Sequence, residues 1–385
     1  MRSTTVFYLF TFLFRFGLGA VGALYAPFLA DIGLTFAQIS AVNAVYWVAM
    51  LAFEVPTGMI ADGRGRGWSV AAAMFCYAVG GFWYFLADGF WHAASAELIS
   101  AVGGAFLSGA LSSWIVDAPD RTQPVSKVFG TATVITGIAT ALGTLLATGL
   151  FVTYGRGVAF AVHGAASLCA FAFALLAMRG KEPERTMSEF KALRCAVAHM
   201  RESKPMQWAA AIQASYGIFQ TFNMFWAPLL LTRLSQAQIG HLWIGMYCVL
   251  AVSGFAVRTR FGAKDGTGAG MALSLVLSAV PMIGFAFLPS IAAWIILLVA
   301  HEFGRGAFAP FADTYLHERI EPGYRATFSS LQSFAQEIGM AATLIVMSVV
   351  MRPFDNDPHA ILWLWAGSGA FSLALTSFLW IRRPR

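Results

Sequence analysis

The sequence predicts an all-α membrane protein, with twelve transmembrane helices in two six-helix bundles related by a parallel pseudo-twofold. Hydrophobic residues make up 58% of the 385 residues and charged residues only 11%, whereas soluble domains carry roughly 25% charged residues. A soluble core could not bury so much apolar surface, but lipid covers it in a bilayer. The net charge of +6 is dispersed over short loops, so it indicates no nucleic-acid partner.

Twelve apolar stretches approach or exceed the roughly 20 helical residues that cross a bilayer. They cover residues 5–30, 36–60, 68–88, 91–117, 128–153, 157–178, 207–231, 238–258, 268–288, 290–316, 326–350 and 359–381, with approximate ends. Helices are predicted because backbone groups in lipid must be paired within their own segment. The first stretch is longer than the roughly 7–15 apolar residues of a signal peptide, so we interpret it as an uncleaved helix.

The positions of Lys and Arg predict the orientation. With both termini in the cytoplasm, only three of the 25 basic residues fall in loops on the other side, at Arg156, Arg233 and Arg352. The opposite orientation would violate the positive-inside rule. We therefore expect a multi-pass protein of the inner, or cytoplasmic, membrane.

The chain contains a repeat of about 200 residues. A polar, basic segment divides the stretches six and six, which predicts a bundle at 1–178, a cytoplasmic linker at 179–206 and a bundle at 207–385. The repeated pairs are Tyr25-Ala26-Pro27 with Trp226-Ala227-Pro228, Ala37-Gln38-Ile39 with Ala237-Gln238-Ile239, and Gly104-Ala105-Phe106 with Gly306-Ala307-Phe308. Such a parallel duplication gives two similar bundles that can rock about a site between them.

The loop after the second stretch carries a motif. It reads Gly58-Met59-Ile60-Ala61-Asp62-Gly63-Arg64-Gly65-Arg66 and resembles the major facilitator signature G-x-x-x-D-R-x-G-R-R. Gly63 and Gly67 stand where the signature has basic residues, and Arg64 is the candidate for the displaced charge. The resemblance implies a secondary transporter that works by alternating access.

The same resemblance implies a conformational latch. In the family, the aspartate lies near the N-terminus of the eleventh helix and the arginine pairs with an acid at the cytoplasmic end of the fourth. Asp62, Arg66 and Asp117 hold the matching positions here. Gly58 is expected to allow a close helix approach, and Glu54, one turn earlier, is given a role in the latch.

Three shorter patterns resemble a drug/metabolite:proton antiporter subgroup. They are Phe53-Glu54-Val55-Pro56-Thr57-Gly58, Ser108-Gly109-Ala110 and Arg325-Ala326-Thr327. The acid that often follows the second pattern in the subgroup is replaced by Ser112 and Ser113. The glycines of the fifth stretch, Gly137, Gly143 and Gly149, lack the subgroup's proline, so the direction of transport stays open.

Ionisable residues inside transmembrane stretches are costly and mark functional sites. Glu302 and Arg305 lie three residues apart and can pair locally, either as a structural pair or as part of a site. Arg15 has no acid in its own stretch, so its partner is Glu302, Glu337 or an anionic substrate. Glu337 is the candidate proton carrier, whereas Glu97 lies near the end of its stretch and is expected to line only the mouth.

A polar lining accompanies these charges. Its members are Tyr25, Asn43, Gln213, Gln220, Asn223, Gln332 and Gln336. Amides mixed with aromatic rings suit a mid-sized organic ligand better than a bare ion.

The sequence predicts proton-coupled efflux of a small organic drug or metabolite, with a preference for anions or zwitterions such as a siderophore-like chelator. Proton symport for uptake and a transporter-like sensor without transport are the alternatives. Nucleophile triads, metal clusters and phosphate loops are missing from the sequence, so an enzyme is not expected. We expect the proton gradient to be the energy source and expect no cofactor. The expected partners are the substrate, protons and lipid, and we expect the protein to be a monomer.

Overall fold

The computed structural model describes residues 1–108, 110–116, 118–123, 125–178, 197–198, 200–260, 267–317, 319, 325–354 and 356–384. Within these ranges, the side chains at 55, 59, 61–63, 125–126, 152, 258–260, 313, 317 and 325–333 are not described.

The first half of the chain is helical throughout its described spans. The helices are α1 (Ser3–Gly22), α2 (Tyr25–Asp31), α3 (Phe36–Arg64), α4 (Arg66–Phe85), α5 (Phe90–Leu107), α6 (Ala110–Val116), α7 (Val125–Tyr154) and α8 (Val158–Ala177). Four of the predicted spans correspond to single helices of similar length, namely the second (α3), third (α4), fifth (α7) and sixth (α8).

The second half is built in the same way. Its helices are α9 (Lys204–Tyr216), α10 (Gln220–Leu230), α11 (Gln236–Arg260), α12 (Thr267–Phe287), α13 (Ile291–His317), α14 (Arg325–Val350) and α15 (Pro358–Ile381). Short 3₁₀ turns lie at Gly217–Phe219, between α9 and α10, and at Arg352–Phe354.

Ten helical segments of the described chain are long and apolar enough to cross a membrane, two fewer than the twelve predicted. They are Ser3–Gly22, Phe36–Glu54, Arg66–Phe85, Phe90–Val116, Lys127–Phe151, Val158–Ala177, Gln236–Val257, Thr267–Phe287, Ile291–Leu316 and Pro358–Ile381. The predicted seventh span is missing because the 3₁₀ turn divides it into two short helices. In the predicted eleventh span, only the shorter stretch Phe334–Val350 is apolar.

Two further predicted spans are interrupted. The first is broken at Ala23 and Leu24, four and three residues before Pro27, whose ring clashes with the carbonyl of the residue four positions earlier. The fourth is broken at Ser108, where φ is −54° and ψ is 120°. Both breaks free backbone groups that neighbouring helices can bind.

The helices cluster into two compact units. The first unit comprises Met1–Glu184 and Leu234–Ile244, and the second comprises Arg185–Arg233 and Gly245–Arg385. In the first, α1 packs against α7 and α8, and α4 packs against α5 and α8. In the second, α12 packs against α13 and α15, and α9 packs against α14.

Both repeats form the same helix start. The Thr35 hydroxyl accepts from the Gln38 backbone N–H at 3.3 Å, and the Gln38 side chain accepts from the Thr35 N–H at 2.9 Å. Ser235 and Gln238 make the same two bonds, at 3.4 and 2.8 Å, before α11. This reciprocal arrangement is a capping box, and it repeats with the 200-residue spacing seen in the sequence.

Two glycines let α1 and α7 touch along their backbones. A Cβ atom on Gly19 would overlap the backbone of Thr140, and one on Gly143 would overlap the backbone of Phe16. Small residues give such close approach between membrane helices. On the same helix α7, a Cβ atom on Gly137 meets no described atom within 4 Å.

Gly143→Ala and Gly137→Ala should therefore change stability in opposite directions. Gly143→Ala should lower the free energy of unfolding by about 1–3 kcal/mol through overpacking. Gly137→Ala is its matched control and should be neutral or stabilising by up to about 1 kcal/mol, because alanine favours the helix. Denaturant unfolding in detergent micelles measures both. Equal effects of the two substitutions would contradict the close contact between α1 and α7.

Candidate functional site

A cavity of about 430 Å³ lies within the first unit. Its walls come from α1, α5, α6 and α7, and Arg15 is the charged residue among those that line it. Aromatic and aliphatic side chains line much of the wall, and hydroxyl groups line other parts of it, at Thr11, Ser112, Thr133 and Thr136. The cavity thus combines an apolar surface, several hydrogen-bonding groups and one positive charge.

Arg15 lies in the wall of this cavity with its side chain exposed. Its guanidinium carbon lies 5.7 Å from the centroid of the Phe14 ring. No carboxylate of the described residues forms an ion pair with Arg15, although the sequence predicted an acidic partner or an anionic substrate. The charge is therefore available to a molecule that enters the cavity.

A buried carboxyl group lies elsewhere in the first unit. Glu97, on α5, is only 5% exposed. Its Oε2 accepts a hydrogen bond from the Tyr84 hydroxyl at 2.5 Å, and its Oε1 accepts from the Tyr25 hydroxyl at 3.1 Å. The Asn43 Nδ2 donates to the same Oε1 at 3.3 Å. The expectation that Glu97 only lines the mouth is wrong, because α2, α3 and α4 each contribute a donor that encloses it.

The second unit holds the predicted pair of Glu302 and Arg305 on α13. The Arg305 Nη1 lies 2.8 Å from Glu302 Oε1, and Glu302 is fully buried. The same guanidinium donates to the Asn223 side-chain oxygen, and Asn223 Nδ2 donates to Gln220 Oε1 at 2.6 Å. Four predicted site residues from α10 and α13 are thereby joined in one hydrogen-bonded chain.

The other predicted residues of this unit, where their side chains are described, are buried or partly buried. Glu337 on α14 is 7% exposed, Gln213 on α9 is buried, and Gln336 is partly buried. His301 stacks on Phe222 with ring centroids 3.9 Å apart, and its Nδ1 lies 2.7 Å from the Ser278 carbonyl oxygen. This histidine belongs to the packing between α12 and α13.

The latch motif is described in part, because Asp117 and the side chain of Asp62 lie outside the described residues. Arg66 Nη1 donates to the Ser113 carbonyl at 3.1 Å, one of the last four carbonyls of α6, which have no partner in their own helix. Glu54 Oε1 accepts from the Ser108 hydroxyl at 3.0 Å, at the break between α5 and α6. These bonds attach the motif to the end of the fourth predicted span.

Arg64 and Gly58 are two further motif residues that the structure describes. The Arg64 guanidinium lies over the Trp68 ring at 5.1 Å. A Cβ atom added to Gly58 meets nothing within 4 Å in the described part of the chain, so no close helix contact is found there.

Comparisons with known proteins agree with one another. The sequence matches the family model of the Major Facilitator Superfamily over residues 7–264. The structure resembles the crystal structure of the nucleoside transporter NupG, with a TM-score of 0.82, 16% identity and 99% of each chain covered. It also resembles an auto-inhibited POT family peptide transporter, with a TM-score of 0.77, 13% identity, and 99% of this chain and 97% of the other covered. A search of curated protein sequences finds no match.

Removing the charge of Arg305 should destabilise the second unit. Arg305→Met leaves the buried Glu302 carboxylate without its cation, at a cost of about 3–5 kcal/mol. The double variant Glu302→Gln/Arg305→Met should recover most of that loss, because neither charge then remains unpaired. Thermal unfolding in detergent compares the melting temperatures of the parent protein, the single variant and the double variant.

Arg352→Met, at an exposed position of the same unit, is the control and should match the parent protein. If the double variant unfolded at the same temperature as the single one, the pair would not be the source of the stability.

Proposed function

Because the chain belongs to the major facilitator superfamily, we propose that it exports a small organic anion or zwitterion from the cytoplasm in exchange for protons. The family membership and the fold make it a multi-pass membrane transporter and not an enzyme. The proposal therefore concerns the substrate class, the direction and the coupling ion, and it retains the drug/metabolite:proton antiporter-like subgroup.

Arg15 and its cavity carry the proposal for the substrate. A volume of about 430 Å³ falls within the roughly 300–1,000 Å³ typical of sites for small organic ligands. The single charged lining residue is a cation, and its planar guanidinium matches a carboxylate or phosphate group. Aromatic and aliphatic walls would hold the apolar part of the same molecule, while the hydroxyl groups would orient it.

Alternating access requires the full set of helices. We propose that the broken segment α9–α10 and helix α14 complete a set of twelve spans, because both occupy the places that the 200-residue repeat assigns to them. The matching capping boxes at Thr35 and Ser235 support this duplication. Both termini would lie in the cytoplasm and the protein would lie in the inner membrane, as the distribution of basic residues indicates.

Proton coupling needs a carboxyl group that can gain and lose its proton. Glu302 is already neutralised by Arg305, so a proton arriving there would compete with a fixed positive charge. The proposed carrier is Glu337 on α14, which the sequence singled out and which is only 7% exposed. A proton taken up from outside and released inside would drive the substrate outward.

Purified protein in liposomes that contain a pH-sensitive dye tests the proposal. The panel of test solutes would include peptides, 5-aminolevulinic acid and nucleosides, because the descriptions of structurally similar transporters name these compounds. Aromatic organic acids would complete the panel. An anionic or zwitterionic member should move protons in the opposite direction to itself. Arg15→Gln should weaken its binding by about tenfold or more, as expected for losing a charged hydrogen bond of about 1.5–3 kcal/mol.

Arg2→Gln is the matched control, since it removes the same charge next to the same helix but away from the cavity. Glu337→Gln should abolish proton movement while solute binding persists. Protons that move with the solute would indicate uptake by symport, and binding without flux would indicate a sensor. Binding that Arg15→Gln leaves unchanged would overturn the assignment of the cavity.

A further inference from the structure

The environment of Glu97 differs from that of Glu302, which pairs with Arg305. Its carboxylate is enclosed by Tyr25, Asn43 and Tyr84, three neutral side chains from three helices. No described cation forms an ion pair with it. A carboxylate that is stabilised by neutral donors alone keeps its full negative charge, and a cation that binds there is not opposed by a fixed positive group.

The enclosure can also satisfy the protonated form. A neutral carboxyl group donates one hydrogen bond and therefore needs an acceptor beside it. Each tyrosine hydroxyl can accept as well as donate, and the two hydroxyl oxygens lie 3.4 Å apart. Asn43 is 9% exposed, and its Oδ1 is buried with no hydrogen-bond partner among the residues that the structure describes. Rotation of this amide would turn that free acceptor towards the carboxyl group.

Aromatic rings cover one side of this cluster, whereas Tyr25 stays partly exposed. The Phe160 ring stacks on Tyr84 with centroids 4.6 Å apart, and it contacts Phe28 at 4.7 Å. These contacts come from α8 and α2 and add no charge. Beyond the two tyrosines, the titratable group Tyr77 on α4 interacts electrostatically with Glu97, and its ring contacts that of His163 on α8 with centroids 5.8 Å apart.

The cluster also lies at a helix break. Tyr25 is the first residue of α2, directly after the interruption at Ala23 and Leu24. Coupling-ion and substrate sites of membrane transporters are typically formed at discontinuous helices. Here the break places a hydroxyl group from the first predicted span beside a carboxyl group of the fourth.

From this geometry we infer that Glu97, with Tyr25, Tyr84 and Asn43, forms a proton-binding site in the first unit. The carboxylate takes a proton from a hydronium ion, which leaves a water molecule, and the new O–H group donates a hydrogen bond to a tyrosine oxygen or to Asn43 Oδ1. Release returns the proton to water and restores the three donated hydrogen bonds. The claim that this site couples proton movement to transport rests on the proposed function. The claim that it binds a proton does not.

Infrared difference spectroscopy on the purified protein in lipid tests the inference without a substrate. Acidification from about pH 8 to about pH 5, the range of physiological proton switches, should produce the carbonyl band of a protonated, buried carboxyl group. Glu97→Gln should lose that band. Asp88→Asn should keep it, because Asp88 is an 89% exposed carboxyl of the same unit and undergoes the same chemical change.

Tyr84→Phe gives an independent measurement on a protein that keeps Glu97. It removes the 2.5 Å hydrogen bond to Oε2, and thus a donor that favours the ionised form. The midpoint of the band should move to higher pH by about one unit, the equivalent of about 1.4 kcal/mol. An unchanged midpoint would contradict the role of the tyrosine hydroxyls.

Two results would overturn the inference. The band could persist in Glu97→Gln, or it could disappear in Glu337→Gln instead. If the band behaves as expected while the liposome panel moves no protons, the site stands and the proposed transport fails.

Discussion

The need to pair every polar group inside the membrane-spanning helices is the constraint on which the rest of the structure depends. Lipid offers no hydrogen bonds, so freed backbone groups and polar side chains must find partners on neighbouring helices. The Trp365 indole donates to the Thr221 carbonyl at 2.9 Å, and His301 reaches the Ser278 carbonyl of the next helix. Where backbones meet directly, as at Gly19 and Gly143, small residues provide the space. The helices are thus held in place by a few polar bonds and close contacts within each unit.

The sequence predicted most of the helices because length and hydropathy are local properties. It missed the interruptions, whose causes differ. The break before Tyr25 could have been predicted from Pro27, since proline conflicts with the helical turn before it. The capping boxes were also visible as Thr35 and Ser235, each followed three residues later by glutamine. The turn at Gly217 could not be predicted, because its backbone packs against Gly339 from a distant part of the chain.

The sequence predicted those site residues that are charged and lie within apolar stretches. It missed the group of residues that comes together only when several helices pack. Arg15, Glu302 and Arg305 stood out because ionisable residues are rare within apolar stretches. Glu97 also stood out, but its place near the end of a stretch suggested an exposed position. Its burial depends on Tyr25, Asn43 and Tyr84, which lie 13 to 72 residues away in the chain. No local pattern in the sequence connects these four residues.

The surroundings of each interior charge decide what it can do, and the three cases differ. Glu302 and Arg305 cancel each other, which favours a fixed structural pair that keeps one arrangement. Arg15 faces a cavity and has no described carboxylate beside it, so an anion entering the cavity would supply the missing charge. Among the described residues Glu97 has three neutral donors and no cation in an ion pair, and this is why we infer a proton site there. The proposed exchange of an organic anion for protons would use two opposite charges of this kind, a cation that faces a cavity and a buried carboxyl group that a proton can neutralise.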